Sequence, residues 1–179
     1  IEAQFRAFAQ TGLTLSHVDG HQHLHLHPAV LPIALEQATR YHAAGIRVPR
    51  ESLWRGLKID RSGVFRRTVV ACGHAYLRSS CRKQLACAGI PSCEASIGST
   101  MSGRMSAAYI IAVLKMTHCS SVEVFCHPSL TDSGNQCGPN RGDLDALLDP
   151  ELRRFVREQG YELANYLSMR EKVHAGELG

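Results

Sequence analysis

The side chains best suited to chemistry crowd into His17–His27, which reads HVDGHQHLHLH. Asp19, His21, His23, His25 and His27 share one parity. In an extended strand all five would project from one face, because side chains alternate across a strand. Residues two apart would then lie about 6.6 Å apart along the backbone. Two imidazoles at that spacing can converge on one ion through bonds of about 2.0–2.2 Å. Five cannot. At most two or three of these groups bind directly, and the others orient ligands, contact substrate or do neither. His27, next to Pro28, could simply cap the following helix, and His17 could pack or hydrogen-bond locally. One histidine is usually structural. Four at alternate positions with a matching Asp point to a metal-binding or catalytic role.

Two further segments carry candidate groups. Val124–Pro128 (VFCHP) puts His127 at the end of an apolar run, where α/β folds place their active sites. A neutral imidazole there can act as general acid or base near pH 7, or bond locally. Arg47 opens the stretch RVPRE. It can hold a carboxylate or a substrate oxygen, or sit in a surface ion pair. Asp132, Arg141 and Asp143 read as rim residues of the loop after His127. No GxGxxG, phosphate-binding loop, GxSxG elbow, zinc-finger spacing or DNA-reading helix stands out.

The elements that must position these groups follow from periodicity and punctuation. Residues 1–10 place Ile1, Phe5 and Phe8 on one helical face, with Gly12 as a stop. Residues 13–18 fit a buried strand. Pro28 can occupy the first turn of a helix running to about Ala43, and Ile46–Val48 is a second strand. Residues 51–63 read as a loop. Residues 64–88 form a long Arg-studded helical stretch with an interruption at Gly73. A strand over 93–97, a turn-rich GSTMSG loop, a helix over 107–116 and a strand over 121–126 follow. A polar loop over 131–142, a helix over 149–159, a last strand over 161–164 and a short helical tail complete the chain. Alternating helices and strands predict parallel βαβ units in a single α/β domain, residues 1–179.

The 179 residues, 44% of them hydrophobic, suffice for one real core. The net charge of +4 is modest and does not indicate a nucleic-acid partner. Eleven Arg or Lys nevertheless fall in residues 40–83, against only Glu51 and Asp60. That stretch is a solvated face, or attracts an anionic surface or substrate. The seven cysteines are odd in number and lack a CxxC pair, which suits a reducing, cytoplasmic setting better than a disulfide framework. No apolar run reaches the length of about 18 residues that spans a membrane. The start at Ile1, without Met, reads as a fragment.

Thr14–His25 (TLSHVDGHQHLH) resembles the "hDsHqHvH" signature of the YdjC/ChbG-like carbohydrate deacetylases, and Glu123–Pro128 (EVFCHP) resembles their "EvmcHP" signature. The order of the Arg47–Pro49 strand end, the His-Pro motif and Arg141 also fits. GSTMSG after Gly89-Ile90 resembles the HpnK-like branch associated with hopanoid biosynthesis.

The resemblance implies a TIM-barrel-like (β/α) deacetylase fold, incomplete here because its first strands would precede Ile1, with open strand edges that favour aggregation or pairing into a homodimer. It implies a divalent metal, Mg or Zn, with His21 as a ligand. The family's other ligands, in "ADDFG" and "GxHxxLT" motifs, have no counterpart in this chain. His127 maps to the strand-end acid/base and Arg47 to a substrate-holding Arg. Asp19 is then a catalytic-site carboxylate orienting a histidine, and His23 and His25 face substrate. The implied reaction is metal-dependent removal of acetyl from an N-acetylated amino sugar or glycolipid, such as an N-acetylglucosaminyl hopanoid. The basic stretch would then touch a membrane surface. Another metal-dependent hydrolase (an amidohydrolase or phosphoesterase) and a non-catalytic metal-binding fragment are the alternatives.

Overall fold

The computed structural model describes residues 1–133 and 138–176. Its chain divides into two compact units. One comprises Ile1–Pro49, His74–Cys93 and the segment from Ala164; the other comprises Arg50–Gly73 and Glu94–Leu163.

In the first unit, α1 (Glu2–Ala9) leads to β1 (His17–Val18), a 3₁₀ turn (His21–Leu26), α2 (Leu31–Arg40) and β2 (Gly45–Ile46). β1 and β2 pair in parallel, His17 against Gly45 and Val18 against Ile46. Gly45 is required there, because a Cβ would stand 2.0 Å from the Tyr166 ring. The core gathers Val18, Leu26, Leu31, Leu35, Ala38, Ile46, Val48 and Cys81. These positions follow the i, i+4 face of α2 and the inward side of the strand pair. A last helix, α8 (Tyr166–His174), is started by an Asn165–Ser168 capping box.

In the second unit, β3 (Ala95–Ile97) and β4 (Val122–Val124) pair in parallel with Ile97 against Val124. The unit also holds α3 (Leu53–Ile59), α5 (Ala107–Lys115), α6 (Arg141–Leu148) and α7 (Pro150–Glu158). Capping side chains set their starts: Ser106 accepts from Tyr109 N, Asn140 from Asp143 N, and Asp149 from Glu151 N, with Pro150 in the first turn of α7. Ile97, Met101, Met105, Tyr109, Ile110, Leu114, Leu152 and Phe155 form the core. α4 (Val64–Ala88) has residues in both units.

The α/β class and parallel pairing agree with the sequence reading. Several details differ. Residues 53–59 are helical rather than loop, started by Ser52 as a cap. α4 runs through Gly73 without a break. α2 begins at Leu31 with Pro32, not Pro28, in its first turn. Residues 161–164 form no strand. The polar loop expected over 131–142 falls partly outside the described residues, and residues from Arg141 are already helix. No helix among the described residues is long and apolar enough to cross a membrane.

Candidate metal centre and histidine site

The largest departure from the sequence reading lies in the His-rich segment. It does not stay extended after Val18. Residues 21–26 form a 3₁₀ turn in which Gln22 and His23 take left-handed backbone angles, φ 52° and 58°. Strand alternation therefore no longer decides which residues meet. The turn brings Asp19, His23 and His25 together, each offering one ligand atom within 4.8 Å of the others. His21 and His27, of the same parity, are exposed and stand outside that set.

The geometry within the set is specific. His23 Nδ1 lies 4.0 Å and His25 Nδ1 3.9 Å from Asp19 Oδ1. Donors about 2.0–2.2 Å from a shared tetrahedral ion stand about 3.4 Å apart, so these atoms would close in by about half an ångström on binding one. The His25 ring state follows from its partner. Its Nε2 lies 2.7 Å from the Arg47 carbonyl oxygen, which can only accept, so Nε2 carries the proton. Nδ1 is left with a lone pair, buried and without a hydrogen-bond partner. A ligating histidine usually shows this pattern, its other ring N–H given to a carbonyl. Arg47 also donates through its guanidinium to Asp19 Oδ2, while Gly20 N donates to Oδ1 at 2.9 Å. One residue thus fixes both Asp19 and His25. Gly20 permits the close approach, because a Cβ there would stand 3.1 Å from His25 N.

Burial keeps both histidines neutral. His23 is only 7% exposed and His25 5%. Desolvation pushes His23 down to about 4, with a smaller push from His74 and an opposing pull from Asp19. Burial also lowers His25, against the Arg47 carbonyl bond that raises it. The residue that sequence reasoning missed is His74 on α4, whose ring stands edge-on to His23 with centroids 4.8 Å apart. Burial lowers its pKa too. Nothing in the sequence around His74 sets it apart.

His127 belongs to the second unit and is held differently. Its backbone N donates to Asp143 Oδ2 at 2.9 Å, and Met105 N donates to Oδ1 at 3.1 Å. Asp143 N in turn bonds Asn140 Oδ1 at 2.7 Å. The ring's Nδ1 lies 3.3 Å from Ser102 Oγ. Asp143, expected on a rim, is fully buried, and beside it burial pushes the Cys126 thiol up to about 12. Asp132 remains exposed and accepts from Arg141 N at 2.8 Å. Nearby, the Glu51 carboxylate accepts from Thr100 N at 2.7 Å and Gly98 N at 3.4 Å, and burial raises its pKa. Arg67, part of the basic stretch read as a solvated face, is instead 1% exposed.

This α/β scaffold and its histidine sites define a family: residues 1–158 match the model described as "YdjC-like protein", and the chain belongs to that family. A carbohydrate deacetylase of Brevibacillus brevis is 25% identical over 172 residues, covering 93% of this chain and 58% of that protein. A chitooligosaccharide deacetylase of Escherichia fergusonii is 28% identical over 176 residues, covering 94% and 59%. The chain thus spans just under three fifths of the length of these curated relatives. A crystal structure from Enterococcus faecalis, described as a candidate cellobiose-phosphate cleavage protein, superposes with a TM-score of 0.65 at 20% identity. It covers 94% of this chain and 58% of that one, and supports the fold.

Proposed function

We propose that the protein acts as a metal-dependent carbohydrate N-deacetylase, cleaving the amide of an N-acetylated amino sugar. The observation that carries this reading is the Asp19–His23–His25 donor set, found in a family whose named relatives deacetylate carbohydrates. The set fits a divalent ion: one carboxylate, two imidazoles kept neutral by burial, and a bare Nδ1 on His25 aimed at the carboxylate. Asp19, His23 and His25 would hold the ion, a change from the sequence reading that gave this task to His21. A divalent ion there supplies Lewis-acid polarisation of the amide carbonyl. Zinc suits a two-imidazole, one-carboxylate set better than magnesium.

The chain's own residues do the rest. Arg47 keeps Asp19 and His25 in register through its guanidinium and its carbonyl. His21, exposed at the start of the turn, is the histidine free to meet substrate. In this reading His127 gives a proton to the leaving sugar nitrogen. Within the substrate class, an N-acetylglucosaminyl hopanoid lipid is the narrower choice, supported by the GSTMSG resemblance alone.

Acetate release from N,N′-diacetylchitobiose tests the reading. Release should need added Zn²⁺ or Mg²⁺, stop with chelator, and fall at least about 100-fold in His23→Ala and His127→Ala. Chelator-insensitive release, no release, or full activity in both variants would contradict it. Hydrolysis of a phosphate ester in its place would move the protein to the phosphoesterases.

A further inference from the structure

Resting on the reading that His127 transfers a proton, we infer that Ser102 is a positioning residue that selects the ring tautomer of His127. Three observations converge on this. Ser102 is 8% exposed and its hydroxyl lies 3.3 Å from His127 Nδ1, so it is fixed in the wall beside the ring. The loop that carries it is anchored at both ends. Gly98 N and Thr100 N donate to Glu51, and Met105 N donates to Asp143. The same Asp143 carboxylate receives His127 N, so the backbones of Met105 and His127 hang from one buried group. Ring and hydroxyl are therefore built to stay in contact.

The chemical consequence concerns which nitrogen exchanges the proton. A neutral imidazole carries one N–H, on either nitrogen. With Ser102 Oγ accepting from Nδ1–H, the neutral ring keeps its proton on Nδ1 and Nε2 keeps the lone pair. In the charged ring the same bond persists and Nε2–H becomes the transferable proton. Among the described residues Nε2 has no hydrogen-bond partner, which leaves it for a reacting group. Ser102 itself never touches that group in this scheme. It acts by holding Nδ1–H.

Nitrogen-15 NMR of the histidine-labelled protein in its neutral-ring form reads this directly. The wild type should show His127 mainly as the Nδ1–H tautomer. Ser102→Ala should shift it toward Nε2–H, and Ser102→Thr, which keeps the hydroxyl, should restore the wild-type pattern. A backbone amide spectrum of each variant confirms that the fold is retained. In diacetylchitobiose hydrolysis Ser102→Ala should lower kcat about 10-fold and leave KM within about twofold. A wild-type Nε2–H tautomer, or an alanine variant with an unchanged ring state, would overturn the inference. An Nδ1–H tautomer in a protein that releases no acetate would instead leave Ser102's role standing and sink the deacetylase reading.

Discussion

Asp19, His23 and His25 all come from one stretch of seven positions, and a tight turn with two left-handed residues folds them onto a common point. His127 is held by groups from Ser102, Met105, Asn140 and Asp143, spread over some forty positions and joined through one buried carboxylate. The first arrangement gathers one carboxylate and two buried imidazoles, with a bare lone pair on His25 Nδ1. The second is a set of donors already satisfied by a carboxylate. Removing a group should therefore cost ligand affinity in the first unit and folding stability in the second.

The sharpest contrast is between two glycines. At Gly98 (φ +126°) a Cβ would stand 2.2 Å from the Phe125 carbonyl oxygen, next to the His127 segment. Gly98→Ala should destabilise the second unit by about 4 kcal/mol or more, seen as a collapsed urea midpoint. At Gly20 the nearest atoms are 3.1–3.2 Å away and all belong to His25. Gly20→Ala should cost about 1 kcal/mol and mainly weaken metal binding. Equal losses at the two sites would break the comparison.

The two carboxylates come next. Asp143→Ala strands two backbone donors in a buried setting and should cost about 3 kcal/mol in chemical denaturation. Asp19→Ala removes a part-exposed ion pair and should cost under about 1 kcal/mol. Arg47→Ala should weaken divalent-ion binding about 10- to 100-fold in calorimetry while leaving the fold intact, because it releases Asp19 without removing a ligand. An unchanged affinity would show that the guanidinium does not orient the set.

The smallest effect is one of pH. His23 sits at about 4 when folded and near 6.5 when unfolded. Between those values the unfolded chain binds the extra proton, so stability contributed by neutral His23 is full above about pH 6.5 and drains as pH falls toward 4. The urea midpoint of metal-free protein should drop across that window, and His23→Gln should flatten the drop. A wild-type midpoint constant from pH 6.5 to 4 would contradict the buried, neutral ring.

What the sequence disclosed follows the same division. The chemistry of residues 17–27 was legible because its residues are neighbours, although strand parity could not say which of them meet. Alternation puts Asp19, His21, His23, His25 and His27 on one face without choosing among them, whereas the left-handed angles at Gln22 and His23 gather Asp19, His23 and His25 and leave His21 outside. The i, i+4 spacing of Asp19 and His23 was the available hint. His74 and Ser102 were not legible, since their roles come from tertiary contacts across 51 and 25 positions. Asp143 left a trace in Asn140 three residues earlier, the N-cap of α6, whose side chain accepts from Asp143 N. The parallel pairs were recovered as runs of β-forming residues, but only two or three residues of each run pair, so their ends were overextended.

Calorimetric titration of Zn²⁺ into metal-free protein at pH 7 tests the central claim most directly. One ion should bind per chain, reversibly with chelator, and binding should fall at least about 100-fold in His23→Ala and His25→Ala but only slightly in His21→Ala. Binding that survives both substitutions, or that His21→Ala alone abolishes, would contradict it.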